Sequence, residues 1–332
     1  MKICLLGEYS GELDEGMRIV SWHFAKELRK QHQVLTSDLR NAFTKRFWID
    51  VKKFKPEIIH YIHGPSVKSF VLLRIISFYC RGAETVMSAM HPDFSFLSKL
   101  FISLFKPNLI LTQSFDSEEM FKKLGCKTKF LPCGVDIKKF MPDASRSKAE
   151  LREKYGIDEE KFTVLHIGSI KEGRNVWLME KLQKENIQVV IVGAISPGID
   201  KDLIQELKKT GCLVWAKHFE NIEEIYLLSD CYIFPTSLAN KINAIEIPLT
   251  VLEAMACNLP VITTNFGALP RVFEGGDGLF FVENEEDIFA SLDEIKKGTT
   301  VKTREKVMPY SWENIGKRLN SIYSELILEA TE

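Results

Sequence analysis

Four groups of residues in this sequence combine types and spacings that could do chemistry. Gly168-Ser169-Ile170-Lys171-Glu172-Gly173-Arg174-Asn175 follows an apolar run and sets two glycines and two cations close together. It approaches a P-loop, but Arg174 stands in place of the lysine and Asn175 in place of the magnesium-holding hydroxyl, so ATP hydrolysis is not expected. What survives is an expected phosphate site: a strand ending at Gly168, then Lys171 and Arg174, then a helix from about Asn175 whose N-terminus favours anions. The plainer alternative is a glycine turn with solvated charges. The second group, Glu246 to Ile262, sets Glu246 and Glu253 among apolar residues. Glu253 is expected in the first turn of a partly buried helix, where a carboxylate needs donors. Ribose hydroxyls would supply them, and so would backbone amides. Third, His60, His63 and His91 follow or end apolar runs, which predicts the edge of a cleft, and Pro92 holds His91 at a loop start. A lone histidine is more often structural. Fourth, Asp200-Lys201-Asp202 has a metal-binding form but is expected to begin a surface helix. No His or Cys cluster suggests a metal elsewhere.

Positioning these groups requires alternating elements. Strand-like runs at Lys2 to Gly7, Val34 to Thr36, Glu57 to Ile62, Glu84 to Ser88 and Leu109 to Thr112 alternate with helix-like stretches, the clearest being Met17 to Lys30. The second half repeats the pattern, with strands at Phe162 to Ile167, Gln188 to Val192, Leu213 to Trp215, Cys231 to Phe234 and Val261 to Thr263. Its helices are expected at Val176 to Glu185, Lys201 to Lys209, Ile222 to Leu228 and Thr250 to Cys257. This alternation predicts an α/β fold of two Rossmann-like halves with the ligand cleft between them, at the carboxyl ends of the strands. The expected domains are 1–142 and 148–310, with the last helix, 311–332, packing back on the first. No G-x-G-x-x-G follows the first strand, which argues against a dinucleotide dehydrogenase.

The chain has 332 residues, 45% of them hydrophobic, with 44 Lys plus Arg against 45 Asp plus Glu. That composition excludes a disordered or collagen-like chain. The balance conceals a division: 22 basic against 14 acidic residues in 1–142, a net +8, and 22 against 31 in 143–332, a net −9. Nucleic acid is not an expected partner of the whole chain, although the basic half could attract phosphate or an anionic membrane surface. No uncharged stretch is long enough to span a bilayer, and the start lacks the apolar core of a secretory signal, so a cytoplasmic location is expected. Seven cysteines without a CxxC pair suit reduced packing thiols. Val67 to Arg81 and Phe94 to Lys106 interleave apolar residues with cations and are candidates for peripheral membrane contact.

Together these residues resemble the retaining glycosyltransferases of family 4, which have the GT-B fold. Leu131-Pro132-Cys133-Gly134-Val135-Asp136-Ile137-Lys138-Lys139-Phe140 is similar to the family's interdomain "PNGVDxxxF", after Leu111-Thr112-Gln113-Ser114. Ser229 to Ser237 is similar to "aDvfvlPS", Leu252 to Ala256 to "LEAMA", Gly267-Ala268-Leu269-Pro270 to "GGxPE", and Tyr310-Ser311-Trp312-Glu313 to "FSWE". The resemblance implies a nucleotide-diphosphate sugar held mainly by the second half, with no metal or other cofactor, and an acceptor on the first half that is a glycan, a small molecule or lipid-linked. It implies that Gly16 lies near the diphosphate, that His91 reaches the transferred sugar, and that Arg174 and Glu246 are catalytic. It places Gly168, Ser169, Lys171, Thr250, Leu252 and Glu253 at the donor, with Glu253 taking the ribose hydroxyls. Three departures stand out: Ser169 replaces a phosphate-binding arginine, Ile245 occupies the first position of the E-x7-E pair with Glu246 one place late, and Ile247-Pro248-Leu249 replaces a glycine-bearing loop. A sugar-nucleotide-binding protein without turnover is the alternative; an epimerase fits the motifs less well.

Overall fold

A computed structural model describes residues 1–11, 15–90, 102, 104–171, 174–193, 199–236 and 246–332. The first sheet contains β1 (Lys2–Gly7), β2 (Gln33–Asp38), β3 (Ile58–Tyr61), β4 (Glu84–Ser88), β5 (Leu109–Thr112) and β6 (Thr128–Phe130) in the order β2-β1-β3-β4-β5-β6. The second contains β7 (Phe162–Ile167), β8 (Ile187–Gly193), β9 (Leu213–Ala216), β10 (Cys231–Phe234), β11 (Val261–Thr264) and β12 (Leu279–Val282) in the order β12-β11-β10-β7-β8-β9. Every pairing between these strands is parallel. This is the expected α/β architecture of two Rossmann-like sheets. Val189 to Val192 are all buried because both sheet faces are covered, which explains why such strands read as continuous apolar runs. Strand order reverses between β1 and β3 and again between β7 and β10, and these reversals open the crevices where ligands bind.

Two apolar layers flank the first sheet. Helix Gly16–Leu28 joins a core that runs through the linker into the second half, while helices Lys45–Phe54 and Val67–Tyr79 cover the opposite face. The final helix, Trp312–Thr331, returns to the first half: Gly316 lies against Glu27, and the Tyr323 hydroxyl sits 2.6 Å from His60 Nδ1. The linker crosses beneath the start of that helix. Val135 N–H donates to the Tyr310 carbonyl and Trp312 N–H donates to the Val135 carbonyl, at 3.0 and 3.1 Å. Gly134 is required there because a Cβ would fall 2.7 Å from the Trp312 ring.

Some elements differ from expectation. The helix expected at Val176 to Glu185 is a 3-10 turn, Val176–Leu178, followed by one α-turn, Met179–Leu182. Asn175 is left-handed with φ 52° and gives no side-chain cap, while the Gln183 side chain accepts from Val189 N–H at 2.8 Å and diverts the chain into β8. Strands β6 and β12, each at a sheet edge, escaped the pattern, and β6 has only three residues with Lys129 at its centre. Helix Glu285–Lys296 also escaped, although Asn284 capping Asp287 N–H before three acids is a recognisable start.

Candidate active site

The β7–β10 reversal brings the end of β7 beside the end of β10, so the loop from Gly168 starts at the crevice. Beneath it His166 is 1% exposed, with Nδ1 2.9 Å from the Ile233 carbonyl. A carbonyl only accepts, so Nδ1 carries the hydrogen and Nε2 offers a lone pair. Burial pushes this imidazole down to about 4, partly offset by the Ile233 bond, so it is neutral near pH 7. Gly168 admits no larger residue easily, since a Cβ would stand 3.1 Å from His166 Nε2. Ser169 is exposed, Lys171 is half-buried, and Arg174 is buried, which pushes its guanidinium pKa down from the usual value. With no regular helix after Asn175, the expected dipole contribution shrinks to a single turn, and side-chain cations and loop amides remain.

Two tyrosines hold helix Leu249–Ala256: Tyr232 of β10 ties it to the end of β7, and Tyr226 ties it to helix Ile222–Leu227. Tyr232 O–H donates to the Ile167 carbonyl at 3.1 Å, leaving its oxygen to accept from the Thr250 hydroxyl at 2.8 Å. One turn further, Tyr226 O–H donates to Glu253 Oε2 at 2.7 Å. Glu253 therefore sits in the second turn, because Pro248 is the N-cap and Leu249 begins the helix. It lacks the stabilisation expected from the first-turn dipole. Burial pushes its carboxyl up to about 7, countered in part by the Tyr226 bond and by Lys139. Leu252, also expected at the donor, is 1% exposed within the core, since neighbouring helix positions point about 100° apart. Gly16 begins helix Gly16–Leu28 of the first half, and a Cβ there would lie 3.7 Å from Leu249. The starts of the two helices thus face each other across the cleft.

Glu246 belongs to the same cleft but points to the first half. It is 7% exposed, within hydrogen-bonding reach of the Ser114 amide and hydroxyl, and its Oε2 has no hydrogen-bond partner among the described residues. Burial, and to a smaller degree Asp116, push its carboxyl up to about 7 against the pull of Ser114 and Arg271. Its carbonyl is fixed by Ala268 N–H at 2.8 Å. Nearby, Arg271 crosses from the second half, donating to the Ser114 carbonyl at 3.1 Å and pairing with Glu118 at 2.6 Å. Its guanidinium lies 4.0 Å from the Phe130 ring centre.

The histidines separate. His91 and the rest of 91–101 lie outside the described residues. His60 is not at the cleft edge: it is fully buried, with Nε2 2.8 Å from the Ser88 hydroxyl and Nδ1 satisfied by Tyr323, because it sits inside β3 where the sheet is covered. His63 reaches the loop after β3 and lies 3.5 Å from Glu8. Asp200 caps helix Lys201–Lys209 by accepting from Asp202 and Leu203 N–H. Among the described residues, no group of His, Cys, Asp or Glu gathers that could hold a metal ion. The sequence reading missed Tyr226, Tyr232 and Arg271. The tyrosines fall in apolar patterns and pass for core, and only their hydroxyls distinguish them. Arg271 follows Gly267-Ala268-Leu269-Pro270 directly, which was the available signal.

Comparison with known proteins adds to this geometry. Residues 147–313 match the family model "Glycosyl transferases group 1". The chain is 23% identical over 235 residues to Spore coat protein SA of Bacillus subtilis, covering 62% of this chain and 60% of that protein. It is also 23% identical over 235 residues to a D-inositol 3-phosphate glycosyltransferase of Corynebacterium jeikeium, covering 64% of this chain and 55% of that one. The chain thus spans less than two thirds of these relatives' length. Among solved structures, Anabaena HepE with UDP and glucose superposes with a TM-score of 0.76 at 16% identity, over 98% of this chain and 99% of that one.

Proposed function

The chain belongs to the glycosyl transferases group 1 family, and from that premise we propose that it is a retaining glycosyltransferase that moves a sugar from a nucleotide-diphosphate sugar to an acceptor hydroxyl. The observation that carries the reading is that Glu253, held by Tyr226, lies on the helix whose Thr250 is tied through Tyr232 to the Ile167 carbonyl at the end of β7, where the Gly168 loop and its cations begin. In this reading the ribose hydroxyls donate to Glu253, and the diphosphate lies by the Gly168 amide, Lys171 and Arg174. Gly16 leaves room for the phosphates from the opposite side. UDP in HepE and the D-inositol 3-phosphate glycosyltransferase relative support this class of donor and reaction.

The acceptor hydroxyl attacks the anomeric carbon on the face from which the diphosphate leaves. The bond from that carbon to the diphosphate oxygen breaks, and the departing phosphate takes the acceptor's proton. Negative charge grows on that oxygen, and Arg174 stabilises it from a largely water-excluded position, without a metal. Residues 1–142 form the acceptor side and 148–310 the donor side, and the +8 charge of the former favours an anionic acceptor, free or lipid-linked. In this reading Glu246, at the seam, acts on the transferred sugar, a role that the family resemblance also gives to His91.

Incubation with UDP-, GDP- and ADP-sugars plus candidate acceptors tests the reading by release of nucleoside diphosphate. Exposed Ser169, where a second cation would sit, favours the other reading, a sugar-nucleotide binder without turnover. Tight donor binding with neither release nor transfer supports that alternative.

A further inference from the structure

We propose that the outward face formed by helices Lys45–Phe54 and Val67–Tyr79 docks on an anionic lipid bilayer. The inward sides of these helices are committed to the core through Phe47, Val51, Phe70, Leu73 and Ile76. Their outward sides leave Ile49 at 53%, Ile75 at 47%, Phe78 at 66% and Tyr79 at 43% exposure. Ile75, Phe78 and Tyr79 are three and four residues apart and form one stripe. Trp48 meets Tyr79 edge-on with ring centres 5.0 Å apart, which joins the two helices into one surface. Cations are interleaved: Lys52 Nζ lies 5.7 Å from the Tyr79 ring centre and Arg74 4.6 Å from that of Phe78.

Charge complementarity selects the partner. Residues 43–81 hold eight Lys or Arg against two Asp or Glu, and one of those acids, Asp50, is 3.7 Å from Arg46. A bilayer accepts both components at once, rings and aliphatics at the headgroup boundary and cations at lipid phosphates. RNA would engage the cations but gain nothing from Ile49 and Ile75. A two-fold contact between copies would set like charges against each other. Most of residues 94–106, the other stretch that interleaves apolar residues with cations, lie outside the described residues. The inference extends the acceptor reading without resting on it, because vesicle binding needs neither donor nor acceptor.

The test is co-sedimentation of the full chain, without nucleotide, with vesicles of phosphatidylcholine alone or mixed with phosphatidylglycerol. Partition onto the mixed vesicles is expected to exceed that onto the neutral ones by about tenfold or more and to fall with salt. Lys52→Gln and Arg74→Gln should each lower it by about fivefold. Ile75→Ser combined with Phe78→Ser should lower it by about tenfold or more, while circular dichroism and the melting midpoint report that the fold persists. Equal binding to both vesicles, no binding to either, or indifference to the Ile75 and Phe78 replacements would overturn the proposal. So would light scattering showing a dimer that those replacements dissociate, or polyuridylate binding through the same face without vesicle binding. Lost transfer with retained vesicle binding would count against the glycosyltransferase reading alone.

Discussion

Glu253 and Glu246 are both pushed up to about 7 by burial, yet they face different donors. Glu253 holds one tyrosine bond, and ribose hydroxyls would favour its ionised form, so donor binding should release a proton. Affinity for an intact nucleotide-diphosphate sugar should rise with pH through the range below about 7, by up to about tenfold per unit, then level off. Calorimetry in buffers of different ionisation enthalpy measures this. Glu253→Gln should abolish the slope and weaken binding by about 1.5 to 3 kcal/mol. For Glu246 the linkage concerns stability. The folded chain binds more protons than the unfolded one between the ordinary carboxyl value of 4.5 and about 7, so stability falls as pH rises through that window. Glu246→Gln should remove a loss on the order of 3 kcal/mol, read as a flatter curve of unfolding free energy against pH. Arg174→Ala should cost about 10²- to 10³-fold in kcat if it carries the leaving-group charge. Both carboxylates stood out in the sequence because each interrupts an apolar run, and Arg174 because it follows Gly168 and Lys171 at the end of a strand-like run. Tyr226 and Tyr232 were not, since a hydroxyl's use depends on what the fold places opposite it.

At the scale of elements, the parallel strands were readable where both faces are buried, as in β7 and β8, and at the edges β2 and β9, but not at the edge β6, which is three residues long and polar where one neighbour suffices. The false helix after Asn175 had good apolar spacing. It fails because a left-handed Asn175 and the Gln183 bond to Val189 leave length for only one α-turn. The linker crossing is sterically exacting, and its glycine was visible in sequence while its partner, 178 positions away at Trp312, was not. Gly134→Ala should destabilise the chain by about 1 to 3 kcal/mol through overpacking against the indole, seen as a lower thermal midpoint. An unchanged midpoint would mean that the final helix is free to shift from the linker.

At the scale of the molecule, a near-neutral chain divides into a +8 half and a −9 half. Arg271 is one of the groups that join them, reaching Ser114 and Glu118 across the seam where Glu246 lies. Arg271→Ala removes these contacts and should widen the cleft, which small-angle scattering would read as a larger radius of gyration. The two-sheet fold and the cleft followed from alternation alone. How the halves approach did not, because Arg271 and Ser114 are 157 positions apart and neither lies in a periodic pattern. The central claim is that the donor nucleotide sits at the end of β7, between Glu253 and the Gly168 loop. A crystal structure with a nucleoside diphosphate bound tests it most directly. The prediction is ribose hydroxyls on Glu253 and the diphosphate against Gly168, Lys171 and Arg174; a nucleotide seated elsewhere, with Glu253 still bound only to Tyr226, would contradict it.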